Sequence, residues 1–373
     1  GELLDKLSLV VMSPGVPTDL PIVNEMREKG LPIWGEIELA YVFGKGDVLA
    51  ITGTNGKTTT TSMISEILLA AQTDPTISVG GILKSIHGNI RVGHSGLFVT
   101  EACEYTNSFL SFFPKIGIIL NIEEDHLDFF RDLADIRSSF RRFAQLLPED
   151  GVLIINGDIP DYREITEGLA CSVITFGSLE TCDYYPTDIS HDELAHAGLT
   201  LNRRNGSPVP VSLGVPGEHN ILNALAALAL ADYLQLDMGT ASRALKNFTG
   251  TDRRFEYKGS LDGITIVDDY AHHPTEITAT LKAAVNYPHK TLWCVFQPHT
   301  YTRTKAFLKE FAHSLSLADQ VILADIIVEW IRQSLIHTPT ILSSIMSFVA
   351  VFLLGDMAIE LGAYTKEVLI MVA

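Results

Sequence analysis

The chain has 373 residues, 46% of them hydrophobic, which exceeds one typical domain and suffices to bury several cores, so two or three domains are expected. Its 45 acidic against 27 basic residues give a formal charge of -18, which repels nucleic-acid phosphates and anionic membrane surfaces and excludes both as general partners. Any phosphate chemistry must therefore rest on a local positive site.

The four cysteines, Cys103, Cys171, Cys182 and Cys294, form no C-x-x-C pair and sit in apolar or mixed segments, so free thiols in a reducing compartment are expected. No charged stretch followed by an apolar one opens the sequence, so no signal peptide is expected and the location reads as cytoplasmic. The apolar run 341–354 is 14 residues long, short of the ~20 a membrane-spanning helix requires, and reads as a buried helix or strand.

In chain order, Leu9 to Met12 is a short apolar run, followed by the turn Ser13-Pro14-Gly15-Val16-Pro17 and by helical spacing from Ile22 to Lys29. Asp47 to Thr52 predicts a strand that ends in Gly53-Thr54-Asn55-Gly56-Lys57-Thr58-Thr59-Thr60, and Thr61 to Ala71 continues with helical periodicity. Strands are predicted at Leu97–Thr100, Ile116–Ile122, Val152–Asn156 and Ser172–Phe176, with a helix over Asp132–Leu147. This alternation implies a parallel sheet covered by helices.

Tyr184 to Val215 reads as turn-rich with short alternating strands, and Asn220 to Leu234, rich in Ala and Leu, as a buried helix. A new α/β pattern begins near Phe248, with strands at Ile264–Asp268 and Thr291–Phe296 and a helix at Pro274–Ala284, which places a domain boundary near residue 248.

The loop after Thr52 carries the first chemistry. Glycines between strand and helix let backbone N–H groups approach phosphate oxygens, the helix N-terminus favours negative charge, and a lysine neutralises the outer phosphates. Gly53, Gly56 and Lys57 supply these parts, and the Thr58 hydroxyl follows where it can ligate the Mg²⁺ that bridges phosphates. The pattern G-x-x-x-x-G-K-[ST] needs a glycine where Ile51 stands, so this is a shortened variant of the phosphate loop.

The segment Gly53 to Thr61, GTNGKTTTT, resembles the ATP loop of the Mur ligases and folylpolyglutamate synthetases. The later segments TEACEYTNSFL (Thr100–Leu110), NIEEDHLDFF (Asn121–Phe130), PGEHNILNALAA (Pro216–Ala227), TGTDRRFEYKG (Thr249–Gly259), DDYAHHPTEI (Asp268–Ile277) and FQPHTYTRTKAF (Phe296–Phe307) narrow the resemblance. They point to the Mur ligases, and within them to the branch that adds L-alanine. SPGVPTDLP to GEIELAY (Ser13–Tyr41), and Asn55 in a place where that branch usually has histidine, are more similar to the D-glutamate-adding branch. After Ile326 the family pattern is lost, and only Gly355 to Leu369 is faintly similar to its last strand and helix.

The resemblance implies an α/β fold of three domains. These are a truncated N-terminal Rossmann-like remnant that would bind UDP (1–47), a central P-loop domain with a parallel sheet (48–247) and a C-terminal Rossmann-like domain for the amino acid (248–373). It implies ATP and Mg²⁺ as cofactors, and UDP-N-acetylmuramate and L-alanine as partners joined through an acyl-phosphate. An acyl-phosphate needs metal and cationic groups to stabilise its charge.

Residue by residue, Gly53, Thr54, Asn55, Gly56, Lys57, Thr58 and Thr59 would cradle the phosphates, with Lys57 also catalytic. Glu101, His126 and Thr58 would hold the metal, each acid or imidazole lying at a strand end where open α/β sheets place ligands. The neighbouring Glu104, Glu123, Glu124, Asp125 and Asp128 cannot be told apart by composition and read as surface or outer carboxylates.

His219, Asn220 and Asn223 match the segment that meets adenine, although Asn220 also suits a helix cap. Arg254 matches the arginine that reaches the ATP phosphates, and Arg253 reads as a surface charge. Asp269 and His272 match the reacting centre, where His272 could orient or deprotonate the amine, and Tyr270 matches a substrate contact. His299 and Arg303 match the residues that hold the amino-acid carboxylate, and Thr300 stands where relatives often carry arginine. Three rival readings stay open at this point: the D-glutamate-adding ligase, a nucleotide-binding protein without ligase activity, and a generic P-loop ATPase.

Overall fold

Strands form here where apolar runs can be covered on both faces, and their loops gather at the carboxyl edge of the sheet. The computed structural model describes residues 4–12, 16, 19–35, 39, 46–127, 129–298, 301–324 and 368–372. The chain divides into two compact units. The first holds residues 1–188, 199–211 and 222–248, and the second holds 189–198, 212–221 and 249–373.

At the start of the chain, β1 (Val10–Met12) and β2 (Ile33–Gly35) pair in parallel around α1 (Pro21–Glu28), which begins with proline at its first position. Then come β3 (Asp47–Thr52), α2 (Lys57–Ala70), β4 (Thr76–Leu83), β5 (Gly88–Arg91), β6 (Leu97–Glu101) and β7 (Ile116–Ile119). They are followed by α3 (Leu133–Ala144), β8 (Val152–Asn156), α4 (Arg163–Thr166), β9 (Ser172–Phe176), β10 (Tyr184–His191), β11 (His196–Arg203) and β12 (Gly206–Pro216). These strands make one ten-stranded sheet in the order β12-β11-β10-β9-β8-β7-β3-β6-β4-β5.

Its heart is parallel, as expected. β3 lies between β6 and β7 and is buried from Val48 to Thr52, as a strand covered on both faces must be. The sheet as a whole is mixed rather than purely parallel, because β5 pairs antiparallel with β4 at the edge. The alternating strands expected over 184–215 are present, but they are not short. β10, β11 and β12 are strands of 8, 8 and 11 residues, and β11 buries Ala197, Leu199 and Leu201 alternately, the period-2 pattern of a half-covered strand.

Helix ends follow their side chains. Asp132 caps α3 by accepting from the Asp135 N–H at 2.9 Å, and Asp237 does the same for Thr240 at 2.8 Å at the start of α6 (Met238–Asn247). Under β3 and β8 the core is aromatic, with Phe109 stacked on Phe143 at 5.1 Å and edge-on to Phe140 at 5.4 Å. The Ala- and Leu-rich helix α5 (His219–Tyr233) is buried at every position from Ala224 to Ala231, which explains its lack of a polar face.

The second unit contains β13 (Glu256–Leu261), β14 (Ile264–Asp268), α7 (Pro274–Val285), β15 (Thr291–Phe296), α8 (Tyr301–Ala306), α9 (Leu308–Leu315), β16 (Gln320–Leu323) and β17 (Val368–Val372). Its sheet runs β13-β14-β17-β15-β16, so the last strand of the chain inserts in parallel between β14 and β15. Val267, Leu281, Leu292, Cys294, Phe296 and Phe311 pack on one side of it. All four cysteines are free thiols, and three of them are buried. Among the described residues no helix is long and apolar enough to cross a membrane. The apolar run 341–354, Asp128, His299 and Thr300 lie outside the described residues.

Candidate functional site

Because β3, β6 and β7 are parallel neighbours, the loops at their carboxyl ends converge, and the register that places Ile51 beside both Glu101 and Ile118 fixes their spacing. Gly53 leaves β3 at φ +147°, and a Cβ there would sit 2.9 Å from Leu120 Cβ. Gly56 closes the loop at φ +86°, a left-handed conformation, as the residue before α2, and a Cβ there would lie 2.6 Å from Asn223 Oδ1. Both glycines are therefore required by geometry.

The loop is clasped from β7. Asn121 accepts from the Asn55 backbone N–H at 2.7 Å and donates to its carbonyl at 2.9 Å, treating Asn55 as a strand would. The Asn55 amide donates to Glu123 at 3.2 Å, and the Thr54 hydroxyl accepts from the Glu123 N–H at 2.9 Å.

Lys57 curls back over the loop. Its ammonium donates to the carbonyls of Gly53 and Thr54, at 2.5 and 3.0 Å, and to Glu104 Oε2 at 2.9 Å. Burial by itself would lower the Lys57 pKa, but the Glu104 carboxylate, aided by Cys103 and Glu101, more than offsets this and holds it above the ordinary lysine value. Of the two readings of Glu104, surface or outer carboxylate, the surface one is corrected, since Glu104 is among the most buried charges of the described residues and stands behind Lys57.

One residue further on, the Thr58 hydroxyl donates to Glu101 Oε2 at 3.1 Å, while Oε1 accepts from the Gly80 N–H at 2.5 Å. Thr59 lies half-buried in the same turn. His126 has φ +52°, stacks on Tyr105 with ring centroids 4.4 Å apart, and lies 3.6 Å from Asp125 and 3.8 Å from Glu104. Among the described residues no three His, Cys, Asp or Glu side chains form a metal cluster. Thr58 and Glu101 are two hard oxygen donors side by side at a helix start, a donor set that fits Mg²⁺, which takes one or two protein oxygens and fills its sphere with phosphate and water.

Asn223 is buried above Gly56, whereas Asn220 is buried and donates to the Pro216 carbonyl at 2.7 Å. His219 opens α5 and is exposed, its ring 2.6 Å from where a Gly217 Cβ would stand.

In the second unit, the loop after β14 forms its own cluster. Asp269 is buried, accepts the N–H groups of Phe255 and Ala271 at 2.7 Å each, and is pushed up to about 6, chiefly by burial and against the pull of Arg254. Tyr270 projects outward with the guanidinium carbons of Arg253 and Arg254 at 4.9 and 5.7 Å from its ring. Arg253 and Phe255 both adopt positive φ, at 60° and 47°, to wrap this loop around Asp269. His272 follows, and His273 caps α7 ahead of Pro274. Arg303 is half-buried in α8.

Two polar residues that the sequence did not single out lie within the quoted segments. Asn121 supports the loop, and Glu276 lies 3.8 Å from Arg254 and 3.3 Å from His272.

A glycine loop between a parallel strand and a helix, with its lysine and threonine in place, defines an α/β protein of the P-loop class. Comparison with known proteins narrows this. Residues 51–231 match the Mur ligase middle domain, and residues 253–343 match the Mur ligase, glutamate ligase domain. UDP-N-acetylmuramate–L-alanine ligase of Agathobacter rectalis is 55% identical over 322 residues, 86% of this chain and 70% of the relative. The ligase of the same name from Lachnospira eligens is 52% identical over 333 residues, covering 87% and 72%.

The crystal structure of the UDP-N-acetylmuramate-alanine ligase of Thermotoga maritima is similar with a TM-score of 0.74 and 27% identity, covering 98% of this chain and 81% of that one. The fold alone is shared with the MurF ligase of Thermotoga maritima in complex with ADP, at a TM-score of 0.68 and 18% identity over 99% and 92% of the two chains. The chain belongs to the Mur ligase family.

Proposed function

We propose that this protein uses ATP to join L-alanine to the carboxylate of UDP-N-acetylmuramate, a step of peptidoglycan precursor synthesis, in the cytoplasm. The observation that carries the reading is the identity of 55% over 322 residues to a ligase of that name, joined to a phosphate loop whose lysine, threonine and supporting carboxylates are assembled.

The chemistry follows from the residues. Backbone N–H groups at the start of α2, from Gly56 to Thr59, hold the β- and γ-phosphates, Thr54 and Asn55 shape the loop through Asn121, and Lys57 turns from its carbonyl and carboxylate partners toward the γ-phosphate. Thr58 and Glu101 would hold Mg²⁺, with His126 near the same loop, and the ion supplies charge neutralisation on the phosphates when bound. The substrate carboxylate displaces ADP from the γ-phosphorus to give an acyl-phosphate. The amine of L-alanine then attacks the acyl carbon, forming the C–N bond as the C–O bond to phosphate breaks and the phosphate leaves.

His219, Asn220 and Asn223 are assigned to the adenine, and Arg254 to the phosphates. Asp269, Tyr270 and His272 are assigned to the amine, and His299 and Arg303 to the amino-acid carboxylate. By domain, residues 1–47 are assigned to UDP, 48–247 to ATP and 248–373 to the amino acid.

Phosphate release with Mg²⁺-ATP tests this. UDP-N-acetylmuramate plus L-alanine should support release, and the L-alanyl derivative plus D-glutamate should not. Release only with the second pair would transfer the assignment to the D-glutamate-adding branch. Release indifferent to both pairs would reduce it to a P-loop ATPase. Nucleotide binding without any release would leave a nucleotide-binding protein that is not a ligase.

A further inference from the structure

One carboxylate beside the loop after β14 has no role in the scheme above. Glu276, in the first turn of α7 and mostly buried, reaches back one turn so that its Oε2 accepts the His272 backbone N–H at 3.0 Å and lies 3.3 Å from His272 Nδ1. Its Oε1 lies 3.8 Å from the Arg254 guanidinium. The same His272 Nδ1 lies 2.8 Å from the Tyr270 carbonyl oxygen.

A carbonyl and a carboxylate can only accept, so an imidazole nitrogen set against both must carry the hydrogen. In a neutral ring the lone pair then resides on Nε2. Other charged groups around this loop are Arg254 beside Glu276, Asp269 at the end of β14, and Arg253 over Tyr270. Glu276 is a carboxylate that lies against both the ring of His272 and the guanidinium of Arg254, beside the Tyr270 ring.

We infer that Glu276 is a positioning residue that, with the Tyr270 carbonyl, fixes His272 in its Nδ1–H tautomer and leaves Nε2 to accept the proton of the incoming amine. The tautomer stands on geometry alone, while the proton transfer rests on the ligase reading. In that step the amine nitrogen bonds to the acyl carbon, phosphate departs with the electron pair of the C–O bond, and the amine proton passes to Nε2. A carboxylate that orients a histidine this way acts through it, and removing such an outer partner lowers activity by about 10- to 100-fold in comparable sites.

The test is a long-range proton–nitrogen correlation spectrum of the full chain labelled with ¹⁵N-histidine, at a pH where the rings are neutral. The His272 signals are assigned by their loss in His272→Asn. The wild type should show Nδ1 protonated and Nε2 bare. Glu276→Ala should shift the ring toward the Nε2–H form with kcat lowered about 10- to 100-fold and KM for ATP little changed, and Glu276→Asp should restore part of both.

An Nε2–H tautomer in the wild type, or a tautomer unmoved in a folded Glu276→Ala, would overturn the inference. The wild-type spectrum decides it even if that variant does not fold. The expected tautomer in a protein without L-alanine-dependent turnover would uphold the positioning role and remove the ligase reading instead.

Discussion

Replacing Lys57 by methionine should destabilise the phosphate-loop region even without nucleotide, because Glu104 would stay buried with no cation. The pair is 2.9 Å apart with the two side chains 17% and 3% exposed, so solvent screens it little. At an effective dielectric of ~20 its gross attraction is about 5–6 kcal/mol. Desolvation of both ions consumes most of that, yet removing one partner of such a pair typically costs about 3–5 kcal/mol. The double variant Lys57→Met/Glu104→Gln removes both charges together and should return to within about 1 kcal/mol of the wild type. Native-state hydrogen exchange across a urea series, read on peptides spanning 47–70 and 97–110, measures the opening free energy of this region. A single variant within about 1 kcal/mol of the wild type, or a double variant no better than the single, would refute the reasoning.

Gly56→Ala puts a Cβ against Asn223 at a left-handed φ, at a cost of about 1–2 kcal/mol plus the displacement of Asn223, so ATP affinity by fluorescence titration should fall at least about tenfold. Glu101→Ala removes the carboxylate beside Thr58, so the Mg²⁺ concentration for half-maximal phosphate release should rise while UDP-sugar affinity holds. Asp269 has a folded pKa of about 6, raised from 3.8, so it binds its proton more tightly when folded. Its contribution is complete below about pH 4 and is lost as pH rises through about 6, amounting to about 3 kcal/mol. The wild type minus Asp269→Asn difference in unfolding free energy, measured from pH 4 to 7, should carry that slope, and a flat difference would contradict it.

The phosphate loop was legible because strand, glycines, lysine and threonine are contiguous, and local sequence alone sets their geometry. The pairing of Glu104 with Lys57 was not. Glu101 ends β6 and meets Thr58, whereas Glu104 reaches Lys57 from a turn in which Thr106 and Asn107 take positive φ, a path no composition rule foretells. The strands β10 to β12 were underread because Pro186, Asn202, Gly206 and Pro208 look like punctuation, while the alternation Ala197, Leu199, Leu201 carried the true signal. The place of β17 at the middle of its sheet could not be read from its apolar sequence, since its partners β14 and β15 lie about a hundred and about seventy residues earlier. Glu276 was hidden for the opposite reason, because an acid in the first turn of a helix is ordinary until its i−4 neighbour proves to be His272.

The most direct measurement follows oxygen. UDP-N-acetylmuramate carrying ¹⁸O in its carboxylate is incubated with this protein, Mg²⁺-ATP and L-alanine, and the released phosphate and the amide product are analysed by mass spectrometry. One ¹⁸O per phosphate, appearing in step with the alanyl amide, is the expected result, because the carboxylate oxygen that attacks phosphorus leaves with it. Amide formed with unlabelled phosphate, or phosphate released with no amide, would contradict an acyl-phosphate ligase.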